Sequence, residues 1–504
     1  MLTIEQNEII EIMKSKESDY KVVAVNSVAG AGKTYTAKQI VDALKPKKGL
    51  YTAFNKAIVD ESRSKITSIE VRTIHSLAYK YAKNKNVKNL TYNDIVEKLS
   101  YSEKNELIQI LNIFCLSSYV EIESFLIYYK ANNKLVDNKI LLLVKQYYHK
   151  MEKNLIPASF NFLLKSLHIK LYTSKVKKLN FSINYDLIIL DECQDTTAVT
   201  LSIFSLIDAK KKVILGDTHQ NIYSFMNTVN AFELMTNSIH KQLTQSFRCS
   251  ERIGRIIEKY GRNHINNSFV FKGSKNINNT IETEAYLSRS NIALIETIHY
   301  FNKQNKHYSL VRNIDDIFEL PISLYLLYKG ELVKSKKYEY LNKIYQQFLD
   351  KQIKLNFFSY ILRIFNNDTE LTRAVSLLQS LEIEKINIIQ VRNKTIEMND
   401  NPNIILSTVH AYKGLEADKV YINEDLNEAL VKAIKAKKDF YNNNKKSTPL
   451  PKYIINEFNT YYVALSRAKV ELVNVADFVT NSNAVIITID KLKNTLESKL
   501  MACI

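Results

Sequence analysis

Apolar residues recur along this chain in two rhythms. Short Val/Ile/Leu runs bounded by small or polar residues predict strands. Between them, apolar residues return every three or four positions, which predicts helices. Residues 2–14 predict an opening amphipathic helix, 22–25 a strand and 35–44 a helix. Residues 49–57 predict a second strand ending in a polar loop, and 71–78 a short strand entering a helix. From about 80 to 175, Tyr, Lys and Leu recur at helical spacing with few Gly or Pro, which predicts a helical insertion with basic faces. Residues 185–190 and 212–216 are buried strands, and 281–298 a strand followed by a helix. Residues 302–395 are again mostly helical, with 386–391 read as a strand return. The stretch 404–418 follows, and then a strand at 419–422. A charged, solvated excursion is expected over 428–452, and a helix over 461–469 feeding a strand at 470–475. The alternation predicts an α/β protein that binds ligands beyond the carboxyl ends of parallel strands.

Candidate chemistry sits at those strand ends. Asn26-Ser27-Val28-Ala29-Gly30-Ala31-Gly32-Lys33-Thr34 joins the first strand to its helix. Small residues let backbone N–H groups close around a polyphosphate, and a helix N-terminus adds positive dipole. Ala29, Gly30, Ala31, Gly32, Lys33, Thr34 and Tyr35 form the expected cradle, with Lys33 on the β- and γ-phosphates and Thr34 on Mg²⁺. The usual pattern begins with Gly where Ser27 stands. The buried strand at 185–190 ends in Asp191-Glu192-Cys193-Gln194-Asp195. Neighbours at a strand end point apart. Asp191 is therefore assigned to the metal, largely through water, and Glu192 to polarising the attacking water. Gln220 is a candidate γ-phosphate sensor. Tyr223 and Phe225 just after it are stacking candidates, and core residues if no nucleotide is bound. Phe247 can stack on adenine, and Arg248 can neutralise charge on the γ-phosphate. Gln6 can pair with adenine or be an ordinary surface amide. The pairs Tyr128-Tyr129 and Tyr147-Tyr148 could touch bases, but fit a core or a solvated face better.

Composition narrows this only a little. The chain has 504 residues and a formal charge of +18, from 70 Lys+Arg against 52 Asp+Glu. That surplus favours a polyanionic partner such as nucleic acid. The abundance of Lys, Asn, Ile and Tyr fits a coding bias equally well. The four cysteines are far apart and form neither a zinc pattern nor a disulfide framework. No apolar run reaches membrane-span length, and the N-terminus is not a signal peptide. A soluble, intracellular protein of the cytoplasm or nucleus is expected.

With these pieces in this order the chain resembles superfamily 1 DNA helicases of the UvrD/Rep type. The residues that carry the resemblance are the helix with Gln6, the Lys33 loop, Asp-Glu-x-Gln-Asp at 191–195 and Gly-Asp-x-x-Gln-x-Ile-Tyr at 216–223. They continue through Phe247-Arg248, Thr-x-His-x-x-Lys-Gly-Leu-Glu at 408–416 and Val-Ala-Leu-Ser-Arg-Ala at 463–468. Within that group it looks closest to the F-box DNA helicase branch, through Thr-Ala-Phe-Asn-Lys-Ala-Ile at 52–58, Gly-Asp-Thr-His-Gln at 216–220 and Leu-Thr-Gln-Ser-Phe-Arg at 243–248. No F-box segment is seen ahead of the motor.

The resemblance implies two RecA-like parallel-sheet lobes of the P-loop NTPase class, each with a mostly helical insertion, and ATP and Mg²⁺ between the lobes. Lobe one would be 1–79 and 176–245, with insertion 80–175. Lobe two would be 246–301 and 396–504, with insertion 302–395. It implies a hydrolysis site of Lys33, Thr34, Asp191, Glu192, Gln220, Arg248 and Arg467. Gln6 and Phe247 would hold adenine, and Glu416 the ribose. Asn55, His75, Tyr223, Phe225, Thr408 and His410 would line a single-stranded DNA track. Lys413-Gly414-Leu415-Glu416 has the form of the 3′→5′ branch. The implied partners are single-stranded DNA and its junctions with duplex, recombinases or single-strand-binding proteins, and no membrane. A monomer serving replication, repair or recombination is expected. Met226-Asn227 stands where the family has Arg-Gly, and Phe54 is offset by one place from the usual stacking aromatic. A translocase that strips proteins from DNA with weak unwinding is therefore an alternative. A nucleotide-gated DNA-binding scaffold without turnover is another.

Overall fold

The structure is a computed structural model that describes residues 2–15, 22–53, 56–83, 85–91, 94–223, 228–335, 337–350, 356–364, 369–380, 387–445 and 447–476. The chain divides into two compact units, residues 1–245 and 246–504.

The first unit is built on β1 (Val22–Ser27), β2 (Gly49–Ala53), β3 (Glu70–Thr73), β4 (Asn184–Leu190), β5 (Asp208–Gly216) and β6 (Ser238–Leu243). They form one sheet in the order β3-β2-β4-β5-β1-β6. Every pair is parallel; Val25 lies beside Leu215, and Leu50 beside Ile188. A parallel sheet covered on both faces needs strands apolar on both sides, and β2 and the end of β4 are buried throughout. All strands run the same way, so the loops leaving β1, β2, β3, β4 and β5 gather on one edge.

Between β3 and β4 the described residues form the helix Ile74–Tyr81 and then four more, Tyr101–Leu116, Ile122–Asn132, Asn138–Glu152 and Phe160–Val176. Their core is continuous with that of the sheet: Ala24, Leu50 and Ile188 belong to the same buried cluster as Leu107, Phe114, Val144 and Leu167. Tyr147 and Tyr148 lie in that core, whereas Tyr128 is exposed.

The second unit carries a small ribbon, β7 (Gln245–Ser250) with β8 (Lys272–Ser274), and a five-stranded sheet. Its strands are β9 (Glu284–Ser288), β10 (Ser309–Leu310), β11 (Ile404–Thr408), β12 (Ala417–Ile422) and β13 (Ala468–Val473). The order is β10-β11-β9-β12-β13, again all parallel. Between β10 and β11 the described residues are mostly helical.

Two expectations are corrected here. The strand expected at 386–391 is instead the start of the helix Ile388–Met398, capped by the Asn387 side chain. Its β-branched residues suggested a strand. Ile388, Val391, Thr395 and Met398 are the buried positions, and that spacing is one face of a helix. The solvated excursion expected over 428–452 is mostly the helix Glu424–Asn443, which buries Leu426, Leu430 and Ala433. A few apolar positions among many Lys and Asn are enough to seat a helix when a neighbouring one, here Lys452–Leu465, supplies the opposing face.

Candidate nucleotide site

The loop after β1 turns through Gly30 (φ 73°) and Gly32 (φ 76°), both in the left-handed region that a side chain disfavours. Gly32 caps the helix Lys33–Leu44, whose first N–H groups therefore point into the loop. Val28 N–H donates to the Leu243 carbonyl (2.9 Å) and Ala31 N–H to the Val28 carbonyl (3.2 Å), which hold the loop's outer course. Ser27, the departure from the usual glycine, is buried and donates its hydroxyl to the Gly216 carbonyl (2.8 Å). It ties β1 to the exit of β5.

Gln6 is buried, and its position follows from its helix. Thr3 and Gln6 form a reciprocal cap at the start of Ile4–Lys14. Gln6 Nε2 then donates to Thr36 Oγ1 (3.0 Å), and Thr36 donates to the Gly32 carbonyl (3.0 Å). The amide is thus linked through one hydroxyl to the phosphate-type loop.

At the end of β4, Asp191 is buried and Glu192 adopts a left-handed backbone (φ 51°). Lys33 Nζ lies 3.1 Å from Glu192 Oε1, with side-chain exposures of 12% and 17%. Burial pulls the Lys33 pKa down, but Glu192, Asp191 and Asp217 outweigh it and hold the ammonium above its usual value. Asp191 moves the other way. Burial and then the Glu192 charge raise it to about 6, against the opposing pull of Lys33 and a hydrogen bond from Tyr51. Tyr51 OH donates to Asp191 Oδ2 and accepts from Ser62 Oγ (3.1 Å). Glu192 N–H donates to Asp191 Oδ1 (2.8 Å).

From β5, the Asp217 carboxylate accepts from His219 N–H (3.0 Å) and from Gln220 Nε2 (2.7 Å), so Gln220 is buried against the same edge. The first unit therefore brings Lys33, Asp191, Glu192, Gln194, Asp217 and Gln220 into one hydrogen-bonded group. Tyr51 and Gln194 carry no predicted role, although a buried tyrosine in an apolar strand needs a hydroxyl partner, and that is a signal readable beforehand.

A cavity of about 110 Å³ opens beside Asp191 and Glu192, lined also by His75, Asn161 and Thr200. His75 Nε2 lies 3.4 Å from Asn161 Oδ1, and burial lowers its pKa. Tyr223 is half-buried, its pKa pushed up to about 12 by burial and then by Asp195. Asn55 and Phe225 lie outside the described residues.

In the second unit, Phe247 on β7 is 47% exposed. Next to it Arg248 Nε donates to Glu416 Oε2 (2.6 Å), and Nη1 to the Ser466 carbonyl (3.3 Å). Burial would raise Glu416, but Arg248 and Lys469 hold it below its usual value. Arg467 is 1% exposed, and its guanidinium donates to the carbonyls of Val463 (3.1 Å) and Leu415 (3.2 Å). Thr408 caps the turn Val409–Tyr412, which carries the half-buried His410. Arg248, Glu416 and Arg467 thus share one neighbourhood around Ser466.

The donors present fit a nucleoside triphosphate with Mg²⁺. A left-handed glycine loop at a helix start is a concavity for anions. Thr34, in the first turn of the helix Lys33–Leu44, and Asp191, at the end of β4, supply a hydroxyl and a carboxylate. Among the described residues no group of three or more His, Cys, Asp or Glu forms a cage. Mg²⁺ needs none, because it is usually held by one or two protein ligands together with phosphates.

The fold, α/β with parallel sheets, is that of the P-loop NTPase class. Residues 6–226 match the family described as AAA domain. Over 515 positions the chain is 25% identical to F-box DNA helicase 1 of Gallus gallus, covering 93% of this chain and 48% of that protein. Over 532 positions it is 24% identical to F-box DNA helicase protein 1 of Schizosaccharomyces pombe, covering 94% of this chain and 57% of that one. The chain spans about half the length of these curated relatives.

Proposed function

We propose that this chain is an ATP-driven DNA helicase that moves 3′→5′ along single-stranded DNA. The Lys33–Glu192 pair at the head of the helix Lys33–Leu44, with Asp191 beside it, is the observation that carries the reading. The similarity to F-box DNA helicases supplies the DNA.

In this reading ATP draws Lys33 onto its β- and γ-phosphates. Glu192 then orients and deprotonates the attacking water, and Gln220 senses the γ-phosphate. Thr34 and Asp191 would hold Mg²⁺, which supplies charge neutralisation on the phosphates. Gln6 and Phe247 are assigned to adenine and Glu416 to the ribose. Arg248 and Arg467 are assigned to the γ-phosphate in a closed state of two lobes, 1–79 with 176–245 and 246–301 with 396–504. ATP then favours the closed state, and hydrolysis removes that preference. Asn55, His75, Tyr223, Phe225, Thr408 and His410 would track one strand. Met226-Asn227, in place of Arg-Gly, favours a second reading as a translocase that displaces proteins and unwinds weakly.

The test is ATP turnover with and without single-stranded DNA. Wild type should be strongly stimulated, and Lys33→Ala should fall to background. Equal turnover in the two proteins would sink the proposal.

A further inference from the structure

Glu192 is held at both oxygens. Oε1 faces Lys33 at 3.1 Å, and Oε2 accepts a hydrogen bond from Gln194 Nε2. The other end of the same amide is also committed, because Gln194 Oε1 accepts from Asp217 N–H (3.0 Å). One side chain thus donates to the β4 loop and accepts from the β5 loop. An amide does both from one planar group, whereas an ionised carboxylate has no proton to give and an ammonium cannot accept. The two contacts also settle which end of the amide is nitrogen.

The junction is built around this residue. Gln194 is 2% exposed. Its own carbonyl accepts from Asn221 Nδ2 (2.7 Å), so side chain and backbone both fasten it to the segment that carries Gln220. Gly216 leaves it room: a Cβ there would stand 2.5 Å from Gln194 Oε1 and 2.7 Å from Cys193 Sγ. Asp217 in turn holds Gln220 through its carboxylate.

We propose that Gln194 is a positioning residue that aims the Glu192 carboxylate and couples it to the Asp217–Gln220 segment. The assignment rests on the ATPase reading above. When phosphate takes Lys33, Glu192 loses its contact at Oε1, and the Gln194 bond at Oε2 keeps the carboxylate directed at the water. The same amide makes that aim depend on where the β5 loop stands. A signal entering at Gln220 therefore reaches the hydrolytic carboxylate through two bonded residues, Asp217 and Gln194.

The test uses the full chain, ATP with Mg²⁺ and an oligothymidylate. Gln194→Met keeps the reach and removes both hydrogen bonds; Gln194→Glu keeps the acceptor and loses the donor. Each is expected to lower DNA-stimulated kcat about ten- to a hundredfold, by analogy with the loss seen when the partner that orients a metal-ligating side chain is removed. KM for ATP, and binding of a fluorescent non-hydrolysable ATP analogue, should stay within about threefold, the mark of a contact that matters in the transition state. Gly216→Ala pushes the same amide from the other side and should lower kcat in the same direction. Wild-type kcat in Gln194→Met, or loss of analogue binding in step with kcat in both variants, overturns the assignment while leaving the ATPase reading intact. No turnover by the wild-type chain sinks the ATPase reading and this assignment with it.

Discussion

At the residue scale, burial decides which side chains carry their charge. Lys33 keeps its proton because three carboxylates outweigh its desolvation. His168 shows the opposite outcome. It is 2% exposed on the helix Phe160–Val176, and its Nδ1 has no hydrogen-bond partner among the described residues. Burial, and then the neighbouring Lys165, push its pKa down to about 4. Lys165 itself is lowered to about 8 by burial, while its ammonium donates to the carbonyls of Ser117 (2.8 Å) and Tyr119 (2.7 Å). The folded state therefore binds fewer protons at His168 than the unfolded chain between the ordinary histidine pKa and 4. Stability is fully present above the unfolded pKa and is lost as pH falls through that window. The loss is at most about 3 kcal/mol, because one pKa unit is worth about 1.4 kcal/mol. Thermal melts of wild type and His168→Leu at pH 7.5 and 4.5 check this. The gap between the two pH values should narrow in the variant, and an unchanged gap would refute it.

At the element scale, packing overrides local preference in both directions. The helix Ile388–Met398 forms from residues that favour strands, because its buried face has neighbours to fill. Gly261 makes the reverse case. It lies inside the helix Glu251–His264, where Gly→Ala ordinarily stabilises by roughly 0.5–1 kcal/mol. Here a Cβ would stand 2.1 Å from Phe269 Cδ1. Phe269 is buried and meets Tyr462 edge-on, centroids 5.8 Å apart, so the ring is already packed against a buried neighbour. Overpacking of this kind costs about 1–3 kcal/mol and outweighs the propensity gain. Gly261→Ala should therefore lower the unfolding free energy measured in urea. An increase would show that Phe269 turns aside without cost.

At the scale of the whole molecule, the proposal is about direction and charge. The +18 surplus predicts DNA binding that weakens steeply with added salt. The 3′→5′ assignment predicts that duplexes with a 3′ single-stranded tail are opened and those with a 5′ tail are not. Opening only 5′-tailed substrates would reverse it. Helicase activity belongs by name to relatives about twice this chain's length, so the measurement must be made on this chain itself.

Unlike the strand at Ser238–Leu243, the strands that lead into the site at 22–27, 49–53, 184–190 and 208–216, the glycine loop with Lys33, and the acid pair after an apolar run were legible along the chain. Each is a local pattern, set by side-chain size, period and backbone freedom within a few residues. Lys33 and Asp191 could be named as one chemistry without any coordinates. What lay beyond that reading depended on residues far apart in sequence. Tyr51 looked like one more apolar strand position until β2 and β4 paired and set its hydroxyl on Asp191. Gln194 was a letter in a motif until β4 and β5 lay side by side and its amide had two loops to join. Ser27 was a missing glycine until its hydroxyl met the Gly216 carbonyl. A hydrogen bond is worth its full value only when both partners are buried at the right distance, and that distance is set by how strands pair rather than by the order of residues along any one of them.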